Sequence, residues 1–252
     1  DHAPLLPYYE KEFKKDAMIR SVHHGTHIEG IELDLNQAEK AMFGQEVMAR
    51  QRDIQEVINY RRVIEFLEEA RKSNHAVKID EDFIKTLHTM TVEKILASER
   101  CGIYRTTQVV IRNSLTGEVT FTPPPALAVP VQIQELIDFI RSNADVHAVL
   151  QSGIIHYELV RIHPFVDGNG RVARALSTYL LFQEGYDIRK FFSLEEYFDN
   201  DAVRYYDSLQ SVGRNDGDVT IWLEYFTEGL AIELTKIKEK IEKISIDSQI
   251  RE

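Results

Sequence analysis

The stretch that decides the fold lies between two amphipathic helical patterns and reads HPFVDGNGRVAR, residues 163–174. It combines an imidazole, a carboxylate, an amide between two glycines and two guanidinium groups within a few positions. A loop that only connects two helices does not need so many polar and flexible groups. We therefore interpret this stretch as a nucleotide-handling site that the rest of the chain frames.

The first half of the stretch predicts a helix end, a turn and a new helix start. Pro164 disfavours helical geometry at His163, so the preceding helix should end there and its imidazole should point outward. Gly168, Asn169 and Gly170 can present backbone N–H groups as an anion nest. The next helix begins at once and adds its own unpaired N–H groups, which favour a phosphate.

Charged side chains complete the set of groups. Arg171 and Arg174 are three residues apart, so both guanidinium groups can lie along one side of the helix and bind phosphate oxygens. Asp167 can hold Mg²⁺ between phosphates, and His163, with an ordinary pKa of ~6.5, can accept a proton near neutral pH. These groups suit phosphoryl or nucleotidyl transfer to a hydroxyl. The loop is not a P-loop, because no strand precedes it and the Gly-Lys-Ser/Thr ending is missing.

Composition limits the classes of partner. The 252 residues are 43% hydrophobic and carry a formal net charge of −11, which disfavours loose binding to nucleic acid or anionic membranes. A nucleotide substrate stays compatible with this acidity, because local arginines and a metal can hold a triphosphate. The single Cys101 permits no internal disulfide, and no apolar run reaches the ~20 residues of a membrane helix. We expect a cytoplasmic protein that contacts neither a membrane nor nucleic acid directly.

Apolar residues recur at helical spacing along most of the chain, which predicts a mainly α-helical fold. The strongest of these patterns spans residues 45–73, and we assign it to the core without any chemistry. Asn36 is the expected N-cap of a helix over residues 37–43, and Asp80 or Glu81 opens another. A capping box at Ser193 starts a further helix, and a last long helix covers residues 219–246.

One pair of β-branched runs interrupts the helices. Val109, Val110 and Ile111 are separated from residues 119–121 by a polar turn that contains Gly117, which predicts a β-hairpin. A lone hairpin is marginally stable unless it packs on helices. We therefore expect it to be a clip on the core or a flap over a site.

The segment SVHHGTHIEG, residues 21–30, ends a short helical pattern. Gly30 is well placed to stop this helix, which puts Glu29 in the last turn, where a negative charge is mildly unfavourable. Both a functional role for Glu29 and a simple solvated glutamate stay open. The three histidines of the segment raise the question of zinc, but no third ligand of fixed spacing is evident, so ordinary exposed histidines are favoured.

Residues 163–174 resemble the full signature of the Fic family, His-Pro-Phe-x-Asp/Glu-Gly-Asn-Gly-Arg-x-x-Arg, at every defined position. The resemblance extends from about residue 21 to the helix around Tyr225. It implies a Fic-type helical bundle with one β-hairpin flap. It also implies an ATP- and Mg²⁺-dependent nucleotidyltransferase that moves AMP from ATP to a Ser, Thr or Tyr hydroxyl of a target protein and releases pyrophosphate.

The resemblance assigns a role to each matching residue. Phe165 would anchor the loop in the core, and the hairpin would be a flap that aligns the target segment through Val109, Val110 and Ile111. Tyr206 would lie beside the adenine, although that match is loose. The roles implied for the loop are deprotonation of the target hydroxyl by His163, Mg²⁺ binding by Asp167, cradling of the phosphates by Gly168, Asn169 and Gly170, an α/β-phosphate clamp by Arg171 and a γ-phosphate clamp by Arg174.

The Ile28-Glu29-Gly30 run resembles the inhibitory motif of the family, Ser/Thr-x-x-x-Glu-Gly/Asn. The resemblance implies that Glu29 pairs with Arg174 and blocks the γ-phosphate clamp. The sequence departs from the motif at Gly25, where Ser or Thr is typical, and Thr26 comes one position late. This departure predicts a weaker or differently held inhibition.

The expected organisation is an N-terminal helical region over residues 1–95 that contains Glu29, a Fic catalytic core over 96–230 with a flap at 108–122 and the loop 163–174, and a C-terminal helix extension over 231–252. Two alternatives stay open: removal of AMP by the same site, and a non-catalytic nucleotide-binding regulatory module. The target protein, self-modification, a homo-oligomer and a DNA-binding domain after residue 252 are not decided by the sequence.

Overall fold

The computed structural model describes the backbone of residues 7–72, 78–112, 117–142, 145–186 and 192–250. Within these ranges it contains ten α-helices and one two-stranded antiparallel sheet, which confirms the predicted mainly helical fold with one hairpin. No helix in the described ranges is long and apolar enough to cross a membrane. The elements are α1 Pro7–His27, α2 Leu35–Met42, α3 Gln51–Lys72, α4 Glu81–Val92, β1 Ile111–Arg112, β2 Val119–Phe121, α5 Val129–Ser142, α6 Ala148–Ile162, α7 Asn169–Gln183, α8 Leu194–Asn200, α9 Ala202–Arg214 and α10 Thr220–Ile250.

Helix α7 is the central helix of the core. Nearly all its residues are buried, since α6, α3 and α4 pack against it and its sequence offers apolar or small side chains in every direction. A second, aromatic-rich cluster around Trp222 joins α8, α9 and α10 to α6 and α7. The loop between α6 and α7 therefore starts and ends in well-packed core.

Helix α1 is longer than the short helix we expected, because it begins at Pro7. Its end confirms the prediction for Gly30, which has a φ of +91°. The N–H of Ile31 donates to the carbonyl of Thr26, and the N–H of Gly30 donates to that of His27. This pair of bonds is a Schellman motif. It makes Glu29 the C-cap residue, so its side chain leaves the helix end at a fixed angle.

Two other helix starts differ from the prediction. Helix α2 is capped by Asp34 and not by Asn36, because Asp34 and Gln37 form a reciprocal capping box with bonds of 2.8 and 3.0 Å. Helix α3 starts at Gln51, six residues after the predicted start at Gln45. The predicted caps at Asp80 and Ser193 are confirmed by their bonds to Phe83 and Glu196.

The hairpin is shorter than its β-branched runs. Ile111 pairs with Phe121 and Arg112 with Val119, with an irregularity between the two pairs. Val109 and Val110 precede the strand, and the predicted turn at residues 113–116 lies outside the described residues. Sequence propensity alone overestimates the length of a strand that pairs with one short neighbour.

Candidate active site

His163 is held in an unusual backbone conformation at the end of α6. Its φ and ψ are +49° and +59°, a left-handed geometry that costs a non-glycine residue about 1–2 kcal/mol. Arg105 offsets this cost, because its side chain donates to the carbonyl of His163 at 2.8 Å and its backbone N–H to that of Pro164 at 2.9 Å. The predicted helix end at His163 is confirmed, and buried Arg105 fixes the direction of the imidazole.

The neutral imidazole of His163 has one ring nitrogen, Nε2, that can accept a proton. Nδ1 lies 3.4 Å from the carbonyl of Val160, an acceptor, so Nδ1 bears the proton and Nε2 bears the lone pair. Burial lowers the pKa of His163 below its ordinary value, although the Val160 carbonyl and the charge of Glu29 oppose this shift. The side chain is therefore largely neutral at pH 7, as a general base must be.

The turn after His163 is fixed by two side chains in the core. Asn169 donates to the Phe165 carbonyl and accepts from its N–H, with bonds of 2.9 and 2.8 Å. The Phe165 ring stacks on His88 at 3.7 Å, and Nε2 of His88 donates to the carbonyl of Asp167 at 3.1 Å. Burial lowers the pKa of His88 to about 4, so the ring stays neutral and its Nδ1 can accept from the Gly102 N–H at 2.8 Å. The side chain of Asn169 is thereby used by the loop, and only its backbone N–H is left for a phosphate.

The start of α7 is the anion-binding position of the loop. Gly168 caps the helix with a φ of +77°, and the first intrahelical bond runs from the Val172 N–H to the Gly168 carbonyl. The first-turn N–H groups before Val172 have no intrahelical acceptor, and the helix dipole adds positive potential there. The carboxylate of Glu29 already lies against Gly170, so close that a Cβ at Gly170 would overlap it. An anionic group of the chain itself thus occupies this helix start.

Glu29 and Arg174 form the ion pair that the resemblance implies. Arg174 Nη2 donates to Oε1 of Glu29 at 2.6 Å and to the carbonyl of Gly25 at 2.9 Å. Burial alone would raise the pKa of Glu29, but Arg174 and Arg171 outweigh it and hold this pKa below its ordinary value. Arg174 itself is buried, and its Nε has no hydrogen-bond partner among the described residues.

Gly25 gives the motif departure a structural explanation. A Cβ at Gly25 would overlap the ring of Tyr60 on α3, which fills the space that a Ser or Thr side chain would need. The Tyr60 hydroxyl donates to Glu195 of α8 at 3.1 Å, and this carboxyl is fully buried beside Arg174. Burial raises the pKa of Glu195 despite these partners. Helix α1 is therefore held by Tyr60 and Glu195 where the motif would use its own hydroxyl.

Arg171 has a different set of partners from Arg174. Its Nη1 donates to Oε2 of Glu56 at 2.6 Å and its Nη2 to Oδ1 of Asp167 at 3.2 Å, and its side chain is 2% exposed. Oδ2 of Asp167 accepts from Arg52 at 2.7 Å. Both oxygens of the predicted metal ligand are therefore paired with arginines.

The donor set at Asp167 suits magnesium better than zinc. A single, partly exposed carboxylate beside an anion-binding helix start offers the oxygen ligand that Mg²⁺ combines with phosphates and water. The histidines near Glu29 are used differently, since Nδ1 of His24 and of His27 both lie within 2.9 Å of the Asp199 carboxylate. In the described part of the chain, no group of three or more His, Cys, Asp or Glu side chains could hold a metal.

The remaining predicted site residues are Tyr206 and the three residues of the flap. Tyr206 donates to the carbonyl of Ile28 at 3.3 Å, so it braces the turn that contains Glu29. Of the three flap residues only Ile111 belongs to a strand, while Val110 is exposed before it. An adenine contact by Tyr206 and target binding by the flap stay predictions.

The sequence interpretation missed the residues that hold the loop from a distance. They come from α3, α4, α8 and the segment before the hairpin, so no local spacing connects them to residues 163–174. One signal was available: Glu56 lies on the face of α3 that contains Val63 and Leu67, where an acidic residue is unusual. The missed residues are Arg52, Glu56, Tyr60, His88, Arg105 and Glu195.

Comparison with known proteins relates this chain to one protein family, through a match that includes the loop 163–174. A model described as the Fic/DOC family matches residues 78–181. The protein adenylyltransferase fic-1 of Caenorhabditis elegans is 30% identical over 169 residues, which cover 66% of this chain and 32% of that protein. The chain spans about a third of the length of the first curated relatives it matches.

Two solved structures share the fold over nearly the whole chain. A Fic family protein from Desulfovibrio desulfuricans G20 has a TM-score of 0.78 at 27% identity and covers 94% of this chain and 67% of its own. A Fic domain containing signaling protein from Bacteroides thetaiotaomicron VPI-5482 has a TM-score of 0.78 at 25% identity and covers 92% of this chain and 90% of its own.

Proposed function

Because the chain belongs to the Fic/DOC family, we propose that it is a protein adenylyltransferase that transfers AMP from ATP to a Ser, Thr or Tyr hydroxyl of a target protein. The observation that supports this proposal most is the start of α7. There a carboxylate of the chain lies on an anion-binding helix terminus between a buried arginine and a histidine that is neutral at pH 7. A triphosphate has the charge and the oxygen atoms to take the place of that carboxylate.

The transfer step follows from the chemistry of these groups. Nε2 of His163 takes the proton of the target hydroxyl, and the hydroxyl oxygen forms a bond to the α-phosphorus of ATP. The bond from this phosphorus to the oxygen that bridges it to the β-phosphorus breaks, and pyrophosphate leaves with the electron pair. The N–H groups at the start of α7 and the guanidinium of Arg174 stabilise the charge on the phosphates. Asp167 would hold Mg²⁺, which neutralises phosphate charge when bound.

We further propose that Glu29 restrains the transfer. Its carboxylate competes for the guanidinium of Arg174 and for the space above Gly170, where the γ-phosphate would otherwise bind. Since a hydrogen bond to a charged group contributes about 1.5–3 kcal/mol, removal of the carboxylate should raise the rate on the order of tenfold or more. The cytoplasmic location, self-modification and a homo-oligomer stay predictions.

The test compares three proteins in α-labelled ATP with magnesium, with and without a cell lysate that supplies target hydroxyls. Glu29→Gly should incorporate more AMP into protein than the wild type, and Glu29→Gly with His163→Ala should lose about 10²–10⁴-fold of that activity. His147→Ala is a matched control, because this histidine caps α6 at the opposite end. Labelling at background level in both proteins would contradict catalysis and favour the non-catalytic nucleotide-binding module, and equal labelling above background would contradict the role of His163 as the base.

Removal of AMP is a second candidate, and the ionised state of Glu29 favours it. A carboxylate whose pKa is held below its ordinary value stays ionised and can orient a water molecule by accepting its hydrogen bond. AMP-modified protein made with the Glu29→Gly variant should lose its label on incubation with the wild type if this reaction occurs. Stable label would restrict the site to transfer.

A further inference from the structure

Four charged side chains form a closed ring at the metal-ligand end of the site. Arg52 donates from Nη2 to Oδ2 of Asp167 at 2.7 Å and from Nε to Oε1 of Glu56 at 2.8 Å. Arg171 completes the ring with bonds of 2.6 Å to Oε2 of Glu56 and 3.2 Å to Oδ1 of Asp167. Two positive and two negative charges are thereby balanced.

The two halves of this ring differ in their access to water. The side chains of Glu56 and Arg171 are 3% and 2% exposed, whereas those of Arg52 and Asp167 are 58% and 31% exposed. A buried pair cannot separate without leaving a desolvated charge behind. An exposed pair exchanges readily, because water and other ions replace either partner at small cost.

We propose that Arg52 is the exchangeable counter-ion of Asp167, which occupies this carboxylate in the metal-free protein and withdraws when a divalent cation arrives with the nucleotide. This inference rests on the proposed function. A divalent cation at the Asp167 carboxylate would meet the like charge of the Arg52 guanidinium on the same group, so cation binding weakens the Arg52 contact. The bond from Arg52 to Glu56 does not involve Asp167 and can persist after the exchange. Arg52 is therefore a positioning residue that weakens magnesium-linked nucleotide binding.

The experiment measures ADP binding by calorimetry in EDTA and in millimolar magnesium chloride. All proteins contain Glu29→Gly, so that no carboxylate at the start of α7 repels the phosphates. The measured quantity is the dissociation constant in EDTA divided by that in magnesium. Arg52→Gln should increase this ratio about two- to fivefold, which corresponds to the free energy of one exposed ion pair. Arg62→Gln is the matched control, since Arg62 is an exposed arginine of the same helix that pairs with Glu93. It should leave the ratio unchanged.

Two further variants make the result decisive. With Asp167→Asn, the magnesium enhancement should disappear, and Arg52→Gln should then have no effect on the ratio. Melting curves in EDTA check that each variant folds. A ratio that is unchanged or smaller in Arg52→Gln would overturn the inference while ADP binding leaves the proposed function intact. Failure of the Glu29→Gly protein to bind ADP at all would overturn the proposed function and this inference with it.

Discussion

Two arginines one turn apart on α7 have the same chemistry and opposite surroundings. Arg171 pairs with Glu56, which is buried in the second turn of α3. Arg174 pairs with Glu29, which is 26% exposed at the C-cap of α1. The carboxylate of Glu56 belongs to the packed core, while that of Glu29 lies at a helix end and is partly accessible to water. This difference teaches that one arginine is fixed by the fold and that the other can change its partner.

The largest expected effect is on the fixed pair. Glu56→Gln leaves Arg171 without its buried counter-ion, and breaking such a pair costs about 3–5 kcal/mol of unfolding free energy. Urea denaturation measures the loss. Glu65→Gln on the same helix removes an exposed partner of Arg61 and should change stability by less than about 1 kcal/mol. A loss for Glu56→Gln no larger than that of the control would contradict the fixed role of Arg171.

Breaking the pair between Glu29 and Arg174 should destabilise the protein less than breaking the pair between Glu56 and Arg171. Glu29→Gln removes one charge-assisted bond, but the amide oxygen of Gln can still accept from Arg174, so we expect about 1–3 kcal/mol less unfolding free energy. AMP incorporation should rise in the same variant. A loss as large as that of Glu56→Gln, without a gain in labelling, would show that both arginines are only structural.

Gly25 and Tyr60 share one space beside Arg174, so a larger side chain at one position should require a smaller one at the other. Gly25→Ser should destabilise the wild type by about 1–3 kcal/mol, because the new side chain overlaps Tyr60. In the Tyr60→Ala background the same substitution should be tolerated or stabilising. Thermal unfolding of the four proteins gives the coupling energy, expected at about 1–2 kcal/mol. Additive effects would mean that Tyr60 does not fill the position of the motif hydroxyl.

The smallest expected effect is on the titration of His163. Burial lowers its pKa and the charge of Glu29 partly restores it, so Glu29→Gln should lower this pKa further. Nuclear magnetic resonance of the imidazole measures both values. Because the base must be neutral, kcat/KM should fall only when the pH drops through this lowered pKa, below ~6.5. A pKa at or above the ordinary value in the wild type would contradict the desolvated environment.

The sequence predicted the parts of the molecule that depend on neighbours in the chain. The helix stop at Gly30, the caps at Asp80 and Ser193 and the turn after His163 each follow from a local backbone requirement, and the structure confirms them. The Asn36 cap was wrong because a reciprocal bond partner three residues later favoured Asp34.

The supporting residues could not be predicted because their partners are remote in sequence. Glu56 and Arg171 are separated by 115 positions, and Tyr60 and Glu195 by 135. Only tertiary packing brings them together, and a single sequence contains no record of such pairs. Arg105, which fixes His163, is likewise 58 residues away from it.

The most direct test of the central claim uses parallel reactions of the Glu29→Gly protein with ATP labelled at either the α- or the γ-phosphorus. If a triphosphate binds at the start of α7 with its γ-phosphate at Arg174 and its α-phosphorus near His163, protein should be labelled by α-labelled ATP alone. Label from γ-labelled ATP, or from neither, would contradict this account.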